Sequence, residues 1–180
     1  MKAPSRIALV GVLTAVMAAT PTGASSARRP PEFTHKSAGD WLNSEPLTLA
    51  QLKGKVVVVE FWAFECDNCI KSRPWVERLE HDEASRGLVM IGVHTPELRQ
   101  EHDSREVRKA VERLGIRYPV MIDEDASYWR ALGIQAWPTW CLIGRDGMLV
   151  SCVPGEMDLG DARSSQVRTA IDLMLKAPAA

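Results

Sequence analysis

The stretch Val56-Val57-Val58-Val59-Glu60-Phe61-Trp62-Ala63-Phe64-Glu65-Cys66-Asp67-Asn68-Cys69 decides how the rest of this 180-residue chain is read. From Val56 to Ala63 the run is apolar with Glu60 as its one break, the pattern of a strand buried on both faces. Cys66 and Cys69 follow at once. A helical stretch then continues to about Ala84, with Trp75, Val76 and Leu79 spaced to face a core and Pro74 placed to bend it. A cysteine at the start of a helix meets unpaired N–H groups and the positive end of the helix dipole, which stabilise its thiolate. A second cysteine one turn further on is within reach to attack a mixed disulfide formed on the first. The pair therefore reads as a redox dithiol, with Cys66 attacking and Cys69 resolving. The zinc alternative lacks a second Cys/His pair at a suitable spacing. A purely structural bridge closing so short a loop gains little from chain entropy.

Working outward, Leu88 to Val93 reads as a second apolar strand, and Ser104 to Leu114 as a charged helix with Val107, Val111 and Leu114 on one face and Gly115 as its stop. Tyr118 to Ile122 is a third strand, and Ala126 to Leu132 a short helix ending at Gly133. Strand Trp140 to Ile143, the turn Gly144 to Gly147 and strand Met148 to Val153 form a hairpin, and a last helix spans about Asp161 to Lys176. Strands alternating with helices imply parallel pairing with helices on both faces. The hairpin adds antiparallel strands, so the expectation is an α/β fold with a mixed central sheet.

The bulk composition fits one domain. Apolar residues make up 46% of the chain, enough for one sizeable core, and the formal net charge of −1 gives no sign of nucleic acid or an anionic membrane surface as a partner. At the N-terminus Lys2 and Arg6 precede an uncharged run, Ile7 to Ala19, followed by small residues at Val16-Met17-Ala18 and Ser25-Ser26-Ala27. This is the pattern of a signal peptide over residues 1–27. The run is short for a bilayer span, which favours cleavage over an uncleaved anchor, and no cysteine is placed for lipid attachment. Export to a periplasmic or extracellular space lets disulfides persist. Four cysteines allow three connectivities, and the spacing favours Cys66 with Cys69. Cys141 and Cys152 are then either a second, structural bridge or two buried thiols. A four-residue turn sets Cys141 opposite Val150, leaving Cys152 one diagonal step away.

The segment Val56 to Cys69 with Pro74 resembles the active-site segment of thioredoxins, and Gly133-Ile134-Gln135-Ala136-Trp137-Pro138-Thr139 resembles the segment around their cis-proline. Leu47-Thr48-Leu49 through Gly54-Lys55, Gly92-Val93-His94-Thr95-Pro96-Glu97 and Tyr118-Pro119-Val120 are similar to extracytoplasmic TlpA-like and DipZ-like thioredoxin domains. The resemblance spans about Leu47 to Val150. It implies a thioredoxin fold over residues 47–180, preceded by a leader at 28–46. It also implies a thiol–disulfide oxidoreductase that reduces disulfides in exported proteins with no metal or organic cofactor, fed by a membrane thiol electron donor. Pro138 matches the cis-proline that offers backbone hydrogen bonds to a substrate strand. Glu60 stands where thioredoxins carry a buried aspartate that exchanges a proton with the resolving thiol. Glu65 replaces the usual tryptophan, and Asp67-Asn68 the usual Gly-Pro. The alternatives are a disulfide oxidase or isomerase, a non-catalytic binding module on the same fold, or a copper carrier.

Other residues invite a role. A lone carboxylate at Glu60 inside an apolar strand has its pKa raised by desolvation, which suits a proton shuttle; the other reading is an edge position facing water. Trp62 and Trp137 flank the pair and offer a hydrophobic docking surface, or core packing. His94 is left unassigned. Asp123, Glu124 and Asp125 read as a solvated helix start.

Overall fold

The structure, a computed structural model, describes residues 28–178. The signal peptide expected over residues 1–27 lies outside them. Six strands make one mixed sheet: β1 (Trp41–Leu42), β2 (Val56–Trp62), β3 (Leu88–His94), β4 (Val120–Ile122), β5 (Thr139–Ile143) and β6 (Leu149–Pro154), in the order β1-β4-β3-β2-β5-β6. The strands β2, β3 and β4 run parallel, while β1, β5 and β6 pair antiparallel to their neighbours. Four α-helices, α1 (Asp67–Glu83), α2 (Ser104–Arg113), α3 (Ser127–Leu132) and α4 (Ala162–Lys176), complete it. The expected α/β architecture is what forms.

All seven residues of β2 are buried because the strand lies between β3 and β5 and both of its faces are covered. Alternation sends Val56, Val58 and Trp62 into one core, with Trp75, Val76 and Leu79 of α1, Val107 and Val111 of α2, and Ile171 of α4. Val57, Val59 and Phe61 enter the other core. Glu60 is therefore central in the sheet, which removes the edge reading, and by parity it lies on the side that packs against α1.

The second core explains a difference at the N-terminus. Its helical cover is the six-residue α3, too short to close that face. The segment 28–46, expected as a leader, supplies the rest: Phe33 packs edge-on to Trp41 at 5.4 Å and against Tyr128 at 5.2 Å, and Trp41–Leu42 adds a strand beside β4. Burying one such aromatic stabilises by roughly 1.5–3 kcal/mol, so the segment belongs to the folded unit.

The β5–β6 hairpin also differs from expectation. Ile143 pairs with Leu149 rather than Met148, and the register slips again between Leu142 and Ile143, leaving Val150 unpaired and 40% exposed. The turn and the bulge together move the partner of Cys141 from Val150 to Cys152, and the two sulfurs are joined.

Candidate active site

Cys66 is the N-cap of α1. Its Sγ accepts the Cys69 backbone N–H at 3.2 Å, and its carbonyl accepts from the Ile70 N–H at 3.0 Å. The two cysteines are bonded to each other, with Cα atoms 5.3 Å apart, and only 7% of Cys66 and 2% of Cys69 is exposed. Once the bond is reduced, the same N–H and the helix dipole favour a thiolate on Cys66. Glu65 and Asp67 on either side are exposed, so water screens much of their opposing effect.

The backbone before Cys66 is held by a residue that the sequence reading did not single out. Glu101 is buried, and its Oε1 accepts the Glu65 N–H at 2.8 Å. Its Oε2 accepts the Glu97 and Leu98 N–H groups at 2.8 and 2.7 Å. One carboxylate thus ties the loop after β3 to the entry of the cysteine loop. In sequence it is one acid in the polar stretch Glu97 to Glu106, with nothing to mark it as buried.

Trp137–Pro138 is a cis peptide bond. Phe61 pairs with Thr139, and continuing that register sets Pro138 beside the end of β2, where the cysteine loop begins. The Pro138 carbonyl is already engaged by the Gly155 N–H at 2.8 Å. Trp137 is half-buried; its Nε1 donates to the Thr95 carbonyl at 2.9 Å, and its ring stacks on Trp129 at 4.1 Å. Trp62 is 2% exposed and packs edge-on to His94 at 5.1 Å, so the docking surface expected of it is not available to so enclosed a ring.

Asp123 corrects the reading of a solvated helix start. It is fully buried, caps α3 by accepting the Tyr128 and Trp129 N–H groups at 2.9 Å each, and takes the Thr95 hydroxyl at 3.1 Å. Both residues that hold Trp137 are thus tied to Asp123. Together with His35 and Asp125, Asp123 forms the grouping with metal-like spacing among the described residues, the ligand atoms lying within 4.8 Å of one another. Its carboxylate is already saturated by protein donors. His94 is buried between Trp62 and Phe64, both ring nitrogens lack partners, and burial lowers its pKa to about 3.

Glu60 is not a lone carboxylate. The Tyr118 hydroxyl donates to Glu60 Oε2 at 2.7 Å, and Arg73 Nη1 donates to the same hydroxyl oxygen at 2.7 Å. Burial pushes the Glu60 pKa up, against the opposing pull of Arg73 and Tyr118. Burial likewise drives the Tyr118 pKa well above its ordinary value, so the phenol keeps its proton. Arg73 follows Cys69 by four residues, one turn along the same face of α1.

Fold and dithiol pair together define a thioredoxin-like domain with a Cys-x-x-Cys pair at a helix start. The Redoxin family profile matches residues 26–171, and the chain belongs to that family, within the thioredoxin superfamily. It is 39% identical over 127 residues to the chloroplastic protein SUPPRESSOR OF QUENCHING 1 of Arabidopsis thaliana, covering 70% of this chain but 12% of that one. It is 31% identical over 118 residues to the thiol-disulfide oxidoreductase ResA of Halalkalibacterium halodurans, covering 64% of this chain and 63% of that one. The crystal structure of a thiol:disulfide interchange protein of Chlorobium tepidum matches with a TM-score of 0.66 at 23% identity, over 85% of this chain and 99% of that one. The chain thus spans a small part of the first of these relatives and just under two thirds of the second.

Proposed function

We propose that the protein works outside the cytosol as a reductant of disulfides in exported proteins. The observation that carries this reading is the Cys66–Cys69 bond at the N-terminus of α1, beside the cis Trp137–Pro138 segment. In the reduced protein the Cys66 thiolate attacks a substrate disulfide; one substrate sulfur leaves as a thiolate and is protonated by water. Cys69 then loses its proton to Glu60 and attacks Cys66 Sγ, breaking the mixed disulfide and releasing the second substrate sulfur as a thiolate, which takes a proton from water. Two electrons pass to the substrate, and the Cys66–Cys69 bond forms. A membrane dithiol returns the electrons, and the cycle needs no metal or organic cofactor. Because the Pro138 carbonyl is engaged by Gly155, the backbone contact to a substrate strand falls to Trp137, with the half-buried Trp137 ring beside it.

Insulin reduction with a Cys66→Ala control tests the activity, and trapping with Cys69→Ala, which stalls the mixed disulfide, tests the substrate class. Trapped exported proteins support the reading. Absence of reductase activity in the reduced wild-type protein overturns it.

A further inference from the structure

The Glu60–Tyr118–Arg73 chain has a direction. A guanidinium has five donors and no acceptor, so the Arg73 Nη1 contact at 2.7 Å makes the Tyr118 oxygen an acceptor on that side. The hydroxyl hydrogen is then left to point at Glu60 Oε2, also 2.7 Å away. A hydrogen bond donated to a carboxylate favours its ionised form. A protonated Glu60 can still accept the Tyr118 hydrogen at Oε2, but as a weaker acceptor than the carboxylate, and the Arg73 donor keeps that hydrogen aimed at it. The chain therefore favours Glu60 as an anion, against the opposing effect of burial.

The surroundings supply no other reason for this arrangement. Across β2 the neighbours of Glu60 are Gly92 on β3 and Trp140 on β5, neither of them titratable. Arg73 is 8% exposed, and its Nε has no partner, a cost that a helix-surface arginine avoids by turning outward. The charged groups facing it from outside are Glu77, Glu80 and His81 of α1 and Arg117 of the segment before β4, which line a groove of about 450 Å³. Only Glu77 comes near, at 3.6 Å from Nη2, and its side chain is 62% exposed, so that pair is weak. The short contact of Arg73 is the one directed inward.

We propose that Arg73 and Tyr118 are positioning residues that hold Glu60 in its ionised, proton-accepting form for the step at Cys69. This rests on the reading of Glu60 as the base. Burial alone favours the acid, and an acid cannot take a proton from Cys69. The Tyr118 hydrogen bond and the Arg73 charge oppose that preference, while Arg73, one turn beyond Cys69, ties the charge to the helix that carries the resolving thiol.

The test titrates Glu60 directly in the oxidised protein, where neither active-site cysteine ionises, by carbon-13 NMR of labelled glutamate carboxyls assigned with Glu60→Gln. Tyr118→Phe removes the hydroxyl and keeps the ring. Arg73→Met removes the charge at similar length, and Arg73→Lys restores it. The expected result is a Glu60 midpoint raised by about one unit or more in Tyr118→Phe and Arg73→Met, with partial return in Arg73→Lys. An unchanged midpoint in Tyr118→Phe, with near-ultraviolet circular dichroism intact, overturns the proposal even if Arg73→Met does not fold. If the midpoint moves while the pH profile of mixed-disulfide resolution does not, the base reading of Glu60 falls and the electrostatic assignment stands.

Discussion

Gly92 lies directly opposite Glu60 across the parallel β2–β3 pair, and its missing side chain is what admits the Tyr118 ring. A Cβ there would sit 3.0 Å from Trp62 Nε1, 3.1 Å from Tyr118 Cε2 and 3.2 Å from Val120 Cγ2. A glycine in a central strand otherwise weakens it, so the close approach of these three side chains is the physical reason for it.

Gly92→Ala is therefore an overpacking mutation aimed at the Glu60 partner. We expect a loss of about 1–3 kcal/mol. Each kcal/mol lowers Tm by roughly 2–4 °C in a chain of this size. A melting temperature equal to that of the wild type shows that the pocket yields and that the glycine is not required.

Glu60→Gln keeps size while removing the titrating group. Resolution of the mixed disulfide should slow near neutral pH, with the first attack by Cys66 less affected. Single-turnover rates from pH 6 to 9 decide it, and identical rates in both proteins end the base role.

The same substitution has a signature in stability. Burial raises the Glu60 pKa above its ordinary 4.5, so the folded state holds the proton more tightly than the unfolded state does. That stabilisation is fully present below 4.5 and is lost as pH rises through the folded value. The stability of Glu60→Gln relative to wild type should therefore climb as pH rises above 4.5, on top of a constant difference between a neutral amide and a neutral acid beside Tyr118. Urea denaturation across that window reads the slope. A flat difference means that burial does not dominate at Glu60.

The Cys141–Cys152 bridge closes a loop with a sequence separation of 11. Loop-closure entropy gives such a bridge about 2–3 kcal/mol. Thiol counting on the denatured, oxidised chain should find no free thiols, and the Cys141→Ala/Cys152→Ala pair should lose that much stability. Two free thiols in the wild type would refute the bridge.

For a reductase, the potential of the Cys66–Cys69 pair should lie nearer the roughly −270 mV of thioredoxin than the roughly −120 mV of the strong periplasmic oxidant. Strong oxidants stabilise the first thiolate, whereas here no histidine lies between the cysteines to add positive charge, and the screened charges of Glu65 and Asp67 oppose the thiolate weakly. Equilibration against a dithiothreitol or glutathione buffer gives the value. A potential above about −180 mV moves the assignment to an oxidase or isomerase.

What the sequence alone determined is local. The apolar run Val56 to Ala63, the cysteines at a helix start and the alternation of strand and helix each depend on residues a few positions apart, and the mixed sheet follows from their order. Tertiary structure decided everything that needed a distant partner. Tyr118 is 58 residues from Glu60 and 45 from Arg73, so periodicity holds no trace of the chain they form. Asp123 and Glu101 look like surface acids because burial of a carboxylate depends on which backbone N–H groups the fold brings to it. Phe33 and Trp41 became core because α3 is too short to close its face of the sheet, and Cys152 met Cys141 because the turn and the unpaired Val150 each shifted the register by one residue. A sequence pattern records which face a residue prefers; what stands on the other side of that face is set only when the sheet closes.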